Sequence, residues 1–355
     1  MTKLMFKPKY IITEEILKML TAIAEAKVII DQAKILPLQE IRLRRQALIR
    51  MTHSSTAIEG NRLNVKEVGA LLARKKIDAP ERDIYEVENY LKALEYIEKV
   101  VSSKKPITEK VILRIHKLVT NKTLPEEQSG CYRKNPIYVV KRRLGFPDEV
   151  VYTGPDEKKV PKLCQDLVIW IKESERQDIN PIIIAGIAHL EIAAIHPFND
   201  GNGRTARALA TLILYKMGYD FRRLFALEDY YNEDKPSYYE AINTGEKYHD
   251  GKEDFTSWLL YFIGGFKEEI NNTKRKVATL SRKKLNEDIG TKIFLSEEQL
   301  EILDFIDQLG KITVKDVMDI TKLPKRTAQL KLQKLKKLGM IKQIGRGPSS
   351  AYVLK

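Results

Sequence analysis

Along most of this chain apolar residues recur every three or four positions, the period of a helix that buries one face. Ile16, Leu17, Leu20, Ile23 and Ala24 set that rhythm over residues 13–50, where no glycine interrupts it and Pro37 marks a helix boundary or kink. A second helical group covers roughly residues 65–102, carried by Tyr85, Val87, Tyr90, Leu91, Leu94 and Ile97, and 103–106 is a connection. Over 108–120 a helix is expected to start with Thr108 and Glu109 in capping positions and to bury Val111, Ile112, Ile115 and Leu118. Further helices are expected at 160–172, at 181–195, at 203–217 ending on Gly218, and at 253–272. The 181–195 segment is almost wholly apolar, so it should be buried all round. Residues 271–286, dense in Lys and Arg, read as a connecting helix or linker.

Two stretches break the helical period. Ile137–Val140 and Val150–Tyr152 flank Gly145-Phe146-Pro147, which predicts a β-hairpin. In the tail, helices at 297–309, 313–320 and 324–338 precede short strands at 340–344 and 351–354 joined through Gly345-Arg346-Gly347-Pro348. Three helices followed by a hairpin is the order of a winged helix.

With 355 residues, two or three domains are expected. The opening MTKLMFKPKYIITEE offers no cleavable leader and no run is long enough to cross a bilayer, so a cytoplasmic protein with no membrane partner is expected. Cys131 and Cys164 are too few for a disulfide framework or a four-ligand zinc site and read as ordinary thiols. The formal charge of +14 invites anionic partners, and it is concentrated at the end: residues 322–355 hold ten Lys or Arg and no Asp or Glu.

Chemistry concentrates in His196-Pro-Phe-Asn-Asp-Gly-Asn-Gly-Arg-Thr-Ala-Arg207, a loop that feeds a helix N-terminus. Such a terminus presents unpaired backbone N–H groups, and Gly201 and Gly203 let a phosphate come close to them. Arg204 and Arg207, three apart, share a helix face and can take further phosphate oxygens. Asp200 suits a magnesium ion shared with phosphates, and His196 suits a general base near neutral pH. On residue types alone this is phosphoryl or nucleotidyl transfer, with the choice left open. His116 and His189 read as structural histidines, Trp170 and Trp258 as core.

The stretch resembles the signature of the Fic family, His-Pro-Phe-x-x-Asp/Glu-Gly-Asn-Gly-Arg-x-x-Arg, at every specified position. Gly130-x-Tyr132-Arg133, Tyr152-Thr-Gly-Pro155 and Tyr238-Tyr239 are similar to other landmarks of the family, so the resemblance covers roughly residues 50–265. It implies a mainly α fold with a β-hairpin flap, and transfer of AMP from ATP to a Ser, Thr or Tyr hydroxyl of a target protein or of the chain itself. By the same resemblance His196 is the base, Asp200 the Mg2+ ligand, and Gly201, Asn202 and Gly203 the nest for the α-phosphate. Arg204 and Arg207 take the outer phosphates, Tyr238 and Tyr239 lie near the base of ATP, and Val151, Tyr152 and Thr153 align the target by strand-like pairing. An Asn that the family often carries after the tyrosines is replaced near its place by Gly245-Glu246. The intact Gly203-Arg204 favours adenylylation over the phosphorylation of the kinase-like toxin branch.

Upstream, Ser55-Thr-Ala-Ile-Glu59-Gly60 resembles the family's inhibitory motif, in which Glu59 pairs with Arg207 and blocks the place of the γ-phosphate. The resulting layout is a helical N-terminal region at 1–105 with an inhibitory helix at about 46–60, a catalytic domain at 106–272, a linker at 273–295 and a winged-helix domain at 296–355. Other activities kept open are AMP removal and a DNA-binding regulator that senses nucleotide. Besides ATP and a protein target, DNA bound through residues 322–355 and a second copy of the chain are candidate partners. The helix opening Pro324-Lys-Arg-Thr-Ala-Gln329 and the turn residue Arg346 would meet the DNA, while Leu330, Leu332, Leu335 and Leu338 would form the core beneath.

Overall fold

The computed structural model describes residues 6–103, 105–141, 149–243, 245, 247–248, 254–287, 295–345 and 350–355. The hairpin turn at 145–147, Glu246 and the tail turn residues Arg346, Gly347 and Pro348 lie outside the described residues.

Mainly helical, as the periodicity predicts, the chain begins with α1 (Glu14–Gln32), whose cap Thr13 accepts from the Ile16 amide at 3.2 Å. Pro37 opens α2 (Pro37–Ile58) in the first turn, where a missing N–H costs nothing, and Gly60 at φ +93° lets the chain leave after Glu59. The segment expected as an inhibitory helix is thus the C-terminal half of one longer helix. Next come α3 (Val65–Leu72), boxed by Asn64 and Glu67, then α4 (Glu81–Ser102) and α5 (Glu109–Val119). Thr108 makes no side-chain cap bond, contrary to expectation. Glu109 follows it by one position instead of three, so no box can close, and its carboxylate accepts from Tyr132 Oη at 2.9 Å instead.

The flap consists of β1 (Tyr138–Lys141) and β2 (Glu149–Thr153), antiparallel, pairing Tyr138 with Thr153, Val139 with Tyr152 and Val140 with Val150. Val151 is the extra residue of a bulge between the last two pairs. Then follow α6 (Val160–Arg176), α7 (Pro181–Ile195) and α8 (Asn202–Lys216). Two short helices, α9 (Leu227–Glu233) and α10 (Lys235–Ile242), carry too few turns to show a period and were not expected from the sequence. The α11 helix (Thr256–Glu287) runs on through the residues read as a connecting helix or linker: Thr273 donates to Leu224 O at 3.2 Å and Val277 is fully buried.

At the centre lies α7, in contact with α6, α8 and α11, while α1 lies along α11. Its Ile182, Ile183, Ile184, Ile187 and Ile192, with Leu209, Leu212, Phe262 and Phe266, are buried in one continuous core, each worth about 1.5–3 kcal/mol relative to exposure. Trp170 and Trp258 belong to the same core, as expected.

The tail comprises α12 (Glu297–Leu309), α13 (Val314–Thr321), α14 (Lys325–Lys337) and the antiparallel strands β3 (Ile341–Ile344) and β4 (Ala351–Leu354). Leu332 and Leu335 are buried with Ile302, Leu303 and Ile306 in a separate core that also takes Ile41 of α2. Leu330, read as core, is instead 57% exposed on the outer face of α14.

Candidate active site

The site is built where α7 ends and α8 begins. His196 caps α7 in the left-handed region (φ +48°, ψ +59°), unusual for a residue with a side chain. Arg133 holds that conformation: its Nε donates to His196 O at 2.8 Å, its Nη2 to Pro155 O at 2.6 Å, and its backbone N–H to Pro197 O at 2.9 Å. Arg133 was visible in the sequence only as a landmark, because nothing local shows an arginine 63 residues away closing on this loop. The His196 ring sets Nδ1 3.2 Å from Ala193 O, which favours the tautomer with the proton on Nδ1 and Nε2 free to accept. Burial lowers its pKa below the ordinary histidine value, keeping the ring neutral at pH 7.

Gly201 at φ +77° turns the chain into α8, whose first amides point out of the helix end. Asn202 accepts from Phe198 N at 2.9 Å and donates to Phe198 O at 2.8 Å. Its side chain therefore braces the loop, leaving only its backbone to serve an anion. Beneath, His116 lies parallel to Phe198 at 3.7 Å, accepts from Gly130 N at 2.9 Å through Nδ1 and reaches Asp200 O at 3.0 Å through Nε2. Both of its nitrogens are occupied, as its structural reading requires, and burial lowers its pKa to about 4.

Asp200 is partly exposed, with Arg82 3.2 Å from one carboxylate oxygen and Arg204 3.3 Å from the other. Arg204 and Arg207 diverge in their partners. Arg204, fully buried, lies between Asp200 and Glu86, the latter at 3.5 Å, with Nε and Nη1 making no hydrogen bond among the described residues. Arg207, equally buried, donates from Nε to Ser55 Oγ at 2.9 Å, and from Nη2 to Ser55 O at 2.8 Å and Glu59 Oε1 at 2.7 Å. Burial is the largest influence on Arg207 and works against its charge, but Glu59, Tyr238 and Tyr90 together outweigh it and the pKa is raised. A Cβ at Gly203 would run into the Glu59 carboxylate, so Glu59 lies directly over the turn. The last turn of α2 is fastened to the site further by Lys235 on Ala57 O at 2.5 Å and Tyr239 on Ile58 O at 3.0 Å.

The two tyrosines part company. Tyr239 is half exposed beside Ile58, whereas Tyr238 is buried, within 3.3 Å of Arg207 Nη1 and 3.0 Å of His189 Nε2. Tyr238 thus supports Arg207 from within the core and offers no open stacking face. The flap residues also differ among themselves: Tyr152 is an anchor, donating to Ala194 O at 2.7 Å, and Thr153 O already accepts from Tyr248 N at 3.1 Å. Val150 and Tyr138 stand exposed on the hairpin. Both cysteines are free thiols.

Residues 106–214 match the family model described as the Fic/DOC family. Over 180 residues, 50% of this chain, it is 31% identical to the protein adenylyltransferase Fic of Drosophila virilis and 30% identical to that of Drosophila melanogaster. Those segments are 35% and 34% of the two relatives, so the chain spans about a third of their length. A solved Fic family protein from Desulfovibrio desulfuricans G20 superposes over 99% of this chain and 98% of its own, with a TM-score of 0.61 and 25% identity. Fic-1 (residues 134–508) of C. elegans shares the fold over 77% of this chain and 73% of its own, with a TM-score of 0.56 and 22% identity. Residues 106–214, which hold the loop from His196 to Arg207, are a Fic/DOC family domain, enclosed by helices that follow the fold of solved Fic proteins.

Proposed function

We propose that this chain transfers AMP from ATP to a Ser, Thr or Tyr hydroxyl of a protein, its own or another's, and is held inactive by Glu59. One observation carries the reading: the Glu59 carboxylate sits 2.7 Å from Arg207, on the guanidinium that the anion nest would need for an outer phosphate. Its charge competes directly with a phosphate for the same fork of donors.

In the open form the amides of Gly201–Gly203 receive the α-phosphate and Arg207 an outer one. Neutral His196 takes the hydroxyl proton at Nε2, the hydroxyl oxygen bonds to the α-phosphorus, the bond to the β-phosphate oxygen breaks, and diphosphate leaves. Among the described residues no three His, Cys, Asp or Glu side chains converge into a metal cage. Asp200, partly exposed beside the nest, nevertheless fits a magnesium ion that takes a single carboxylate and shares its shell with phosphates. Such an ion would neutralise phosphate charge. The exposed Tyr138, Val139, Val140 and Val150 of the hairpin support target alignment, while Thr153 O is already engaged by Tyr248 N. The tail's three helices and hairpin support a winged helix, and the exposed Lys325, Arg326, Lys336 and Lys337 of α14 support a nucleic-acid contact.

The test is label transfer from ATP carrying an α-phosphate label, to the chain itself and to an extract, by wild type, Glu59→Gly and His196→Ala. Label strongest in Glu59→Gly and missing in His196→Ala is the expected result. No α-label from any folded variant, with loss of label from a previously modified protein, would replace transfer by AMP removal.

A further inference from the structure

Arg207 also lines a small cavity of about 10 Å³, together with His189, Thr211, Phe225, Glu228 and Tyr231. Three polar atoms of these residues have no partner among the described residues: His189 Nδ1, Glu228 Oε2 and the Tyr231 hydroxyl. Their chemistry is complementary. The Tyr238 oxygen accepts from Arg207 and lies against His189 Nε2; with the Tyr238 proton donated to Nε2, the ring's own proton sits on Nδ1. A donor on His189 and an acceptor on Glu228 thus line a cavity the size of one water, which can bridge them.

Glu228 is 2% exposed, where an ionised carboxylate is costly unless it is paired and hydrogen-bonded. Its Oε1 accepts from Tyr90 Oη at 3.1 Å, and burial pushes its carboxyl up to about 7. The groups facing it are Tyr90 of α4, Arg207 of α8, His189 of α7, and Asp229 and Tyr231 of its own helix. Asp229 is occupied by Arg50 at 2.5 Å and Ser54 at 2.6 Å, which leaves Arg207 as the cation that Glu228 answers. Arg207, for its part, has one ion pair among the described residues, to Glu59, and neutral partners otherwise. Once Glu59 withdraws, a fully buried guanidinium would be left with no carboxylate in contact.

We propose that Glu228 is a positioning residue: it is the standing countercharge of Arg207, acting across the cavity and a water bound there, and it keeps the guanidinium placed for a phosphate after Glu59 has left. This rests on the reading of Arg207 as an outer-phosphate ligand. Unlike Glu59, Glu228 lies in the core and does not compete for the face of Arg207 that a phosphate would take.

The experiment is calorimetric titration of magnesium-ATP and, separately, of AMP into Glu59→Gly and into Glu59→Gly/Glu228→Gln, at pH 6 and pH 8. Glutamine still accepts from Tyr90, so only the charge changes. Ionised Glu228 predominates above its pKa, so Glu59→Gly should bind ATP more tightly at pH 8. Glu228→Gln should weaken ATP on the order of tenfold at pH 8, erase that pH step and leave AMP unchanged. Equal losses for ATP and AMP, or a pH step that survives Glu228→Gln, would overturn the proposal. If Glu228→Gln does not fold, Glu59→Gly/Tyr90→Phe serves, since losing the Tyr90 bond raises the Glu228 pKa and should move the ATP step to higher pH; an unmoved step overturns it equally. Should Glu59→Gly bind neither nucleotide, the transfer reading itself falls, a failure distinct from ATP binding without a Glu228 effect.

Discussion

The region around α7 and α8 and the tail from α12 onward carry charge in opposite ways. Around the loop of residues 196–207 the core encloses Arg133, Arg204, Arg207, Glu191 and Glu228, whereas the described tail buries Gln299 as its only polar side chain. A charge in a core is costly unless paired, so it persists where a fixed direction is needed, as in the fork of Arg207. The tail keeps Lys325, Arg326, Lys336 and Lys337 in water over a plain apolar core, where they cost little and can meet any anionic surface. Buried charge here specifies one small geometry, and exposed charge specifies little beyond sign.

The sharpest way to break this contrast is to disable one region and read the other. His196→Ala is expected to lower AMP transfer by about 10²–10⁴-fold, while Lys325→Glu with Arg326→Glu leaves it within about twofold. Label incorporation in a Glu59→Gly background measures both, and a tail variant as inactive as His196→Ala would dissolve the distinction. Next in size is core truncation. Leu335→Ala should cost about 2–5 kcal/mol in the tail core while the transition of the α7 core stays put, seen as two separate steps in urea unfolding followed by hydrogen exchange. A single transition that shifts as a whole would mean one cooperative unit.

Acid should separate the regions too. With a folded pKa of about 4 against 6.5 unfolded, His116 lets the unfolded chain bind a proton that the folded chain does not. Its stability contribution is complete above pH 6.5 and is lost as pH falls from 6.5 towards 4, on the order of 3 kcal/mol. His189 and His196, both lowered by burial, act in the same direction. Urea midpoints at pH 7.5 and 4.5 should fall for the α7 core and less for the tail, which has no histidine. The smallest effect expected is on non-specific DNA binding: each phosphate contact removed with Lys325 or Arg326 should reduce the salt dependence of affinity by about one unit of slope. No DNA binding at low salt by the wild type would end the nucleic-acid reading of α14.

Much of the architecture was legible because it depends on local pattern. The limits of α7, α12 and β4 follow from Pro181, from an apolar period and from a short apolar run after a Gly- and Pro-bearing turn, and each matches the structure to the residue. The short helices α9 and α10 were illegible because seven or eight residues show too little period. In the site, the order His196 to Arg207 announced its chemistry, since glycines, carboxylate and arginines had to be adjacent to shape one turn. Arg133 on His196 O, Arg82 on Asp200, Tyr238 beneath Arg207 and Glu228 beside it did not, because these partners come from elements far apart in the chain.

By itself the sequence determined the helix periods, the glycine-bearing turn from loop to helix and the presence of a carboxylate at Glu59 close after Ser55. Only the tertiary structure decided which charge that carboxylate meets. Contact between Glu59 and Arg207, 148 residues apart, requires α2 to lie across the start of α8. The same packing gave the two arginines different fates, Arg204 between Asp200 and Glu86 and Arg207 on Ser55 and Glu59. Residues three apart on one helix face are alike in sequence terms. Neighbouring helices make them different, because a buried guanidinium takes its role from the acceptors that surround it.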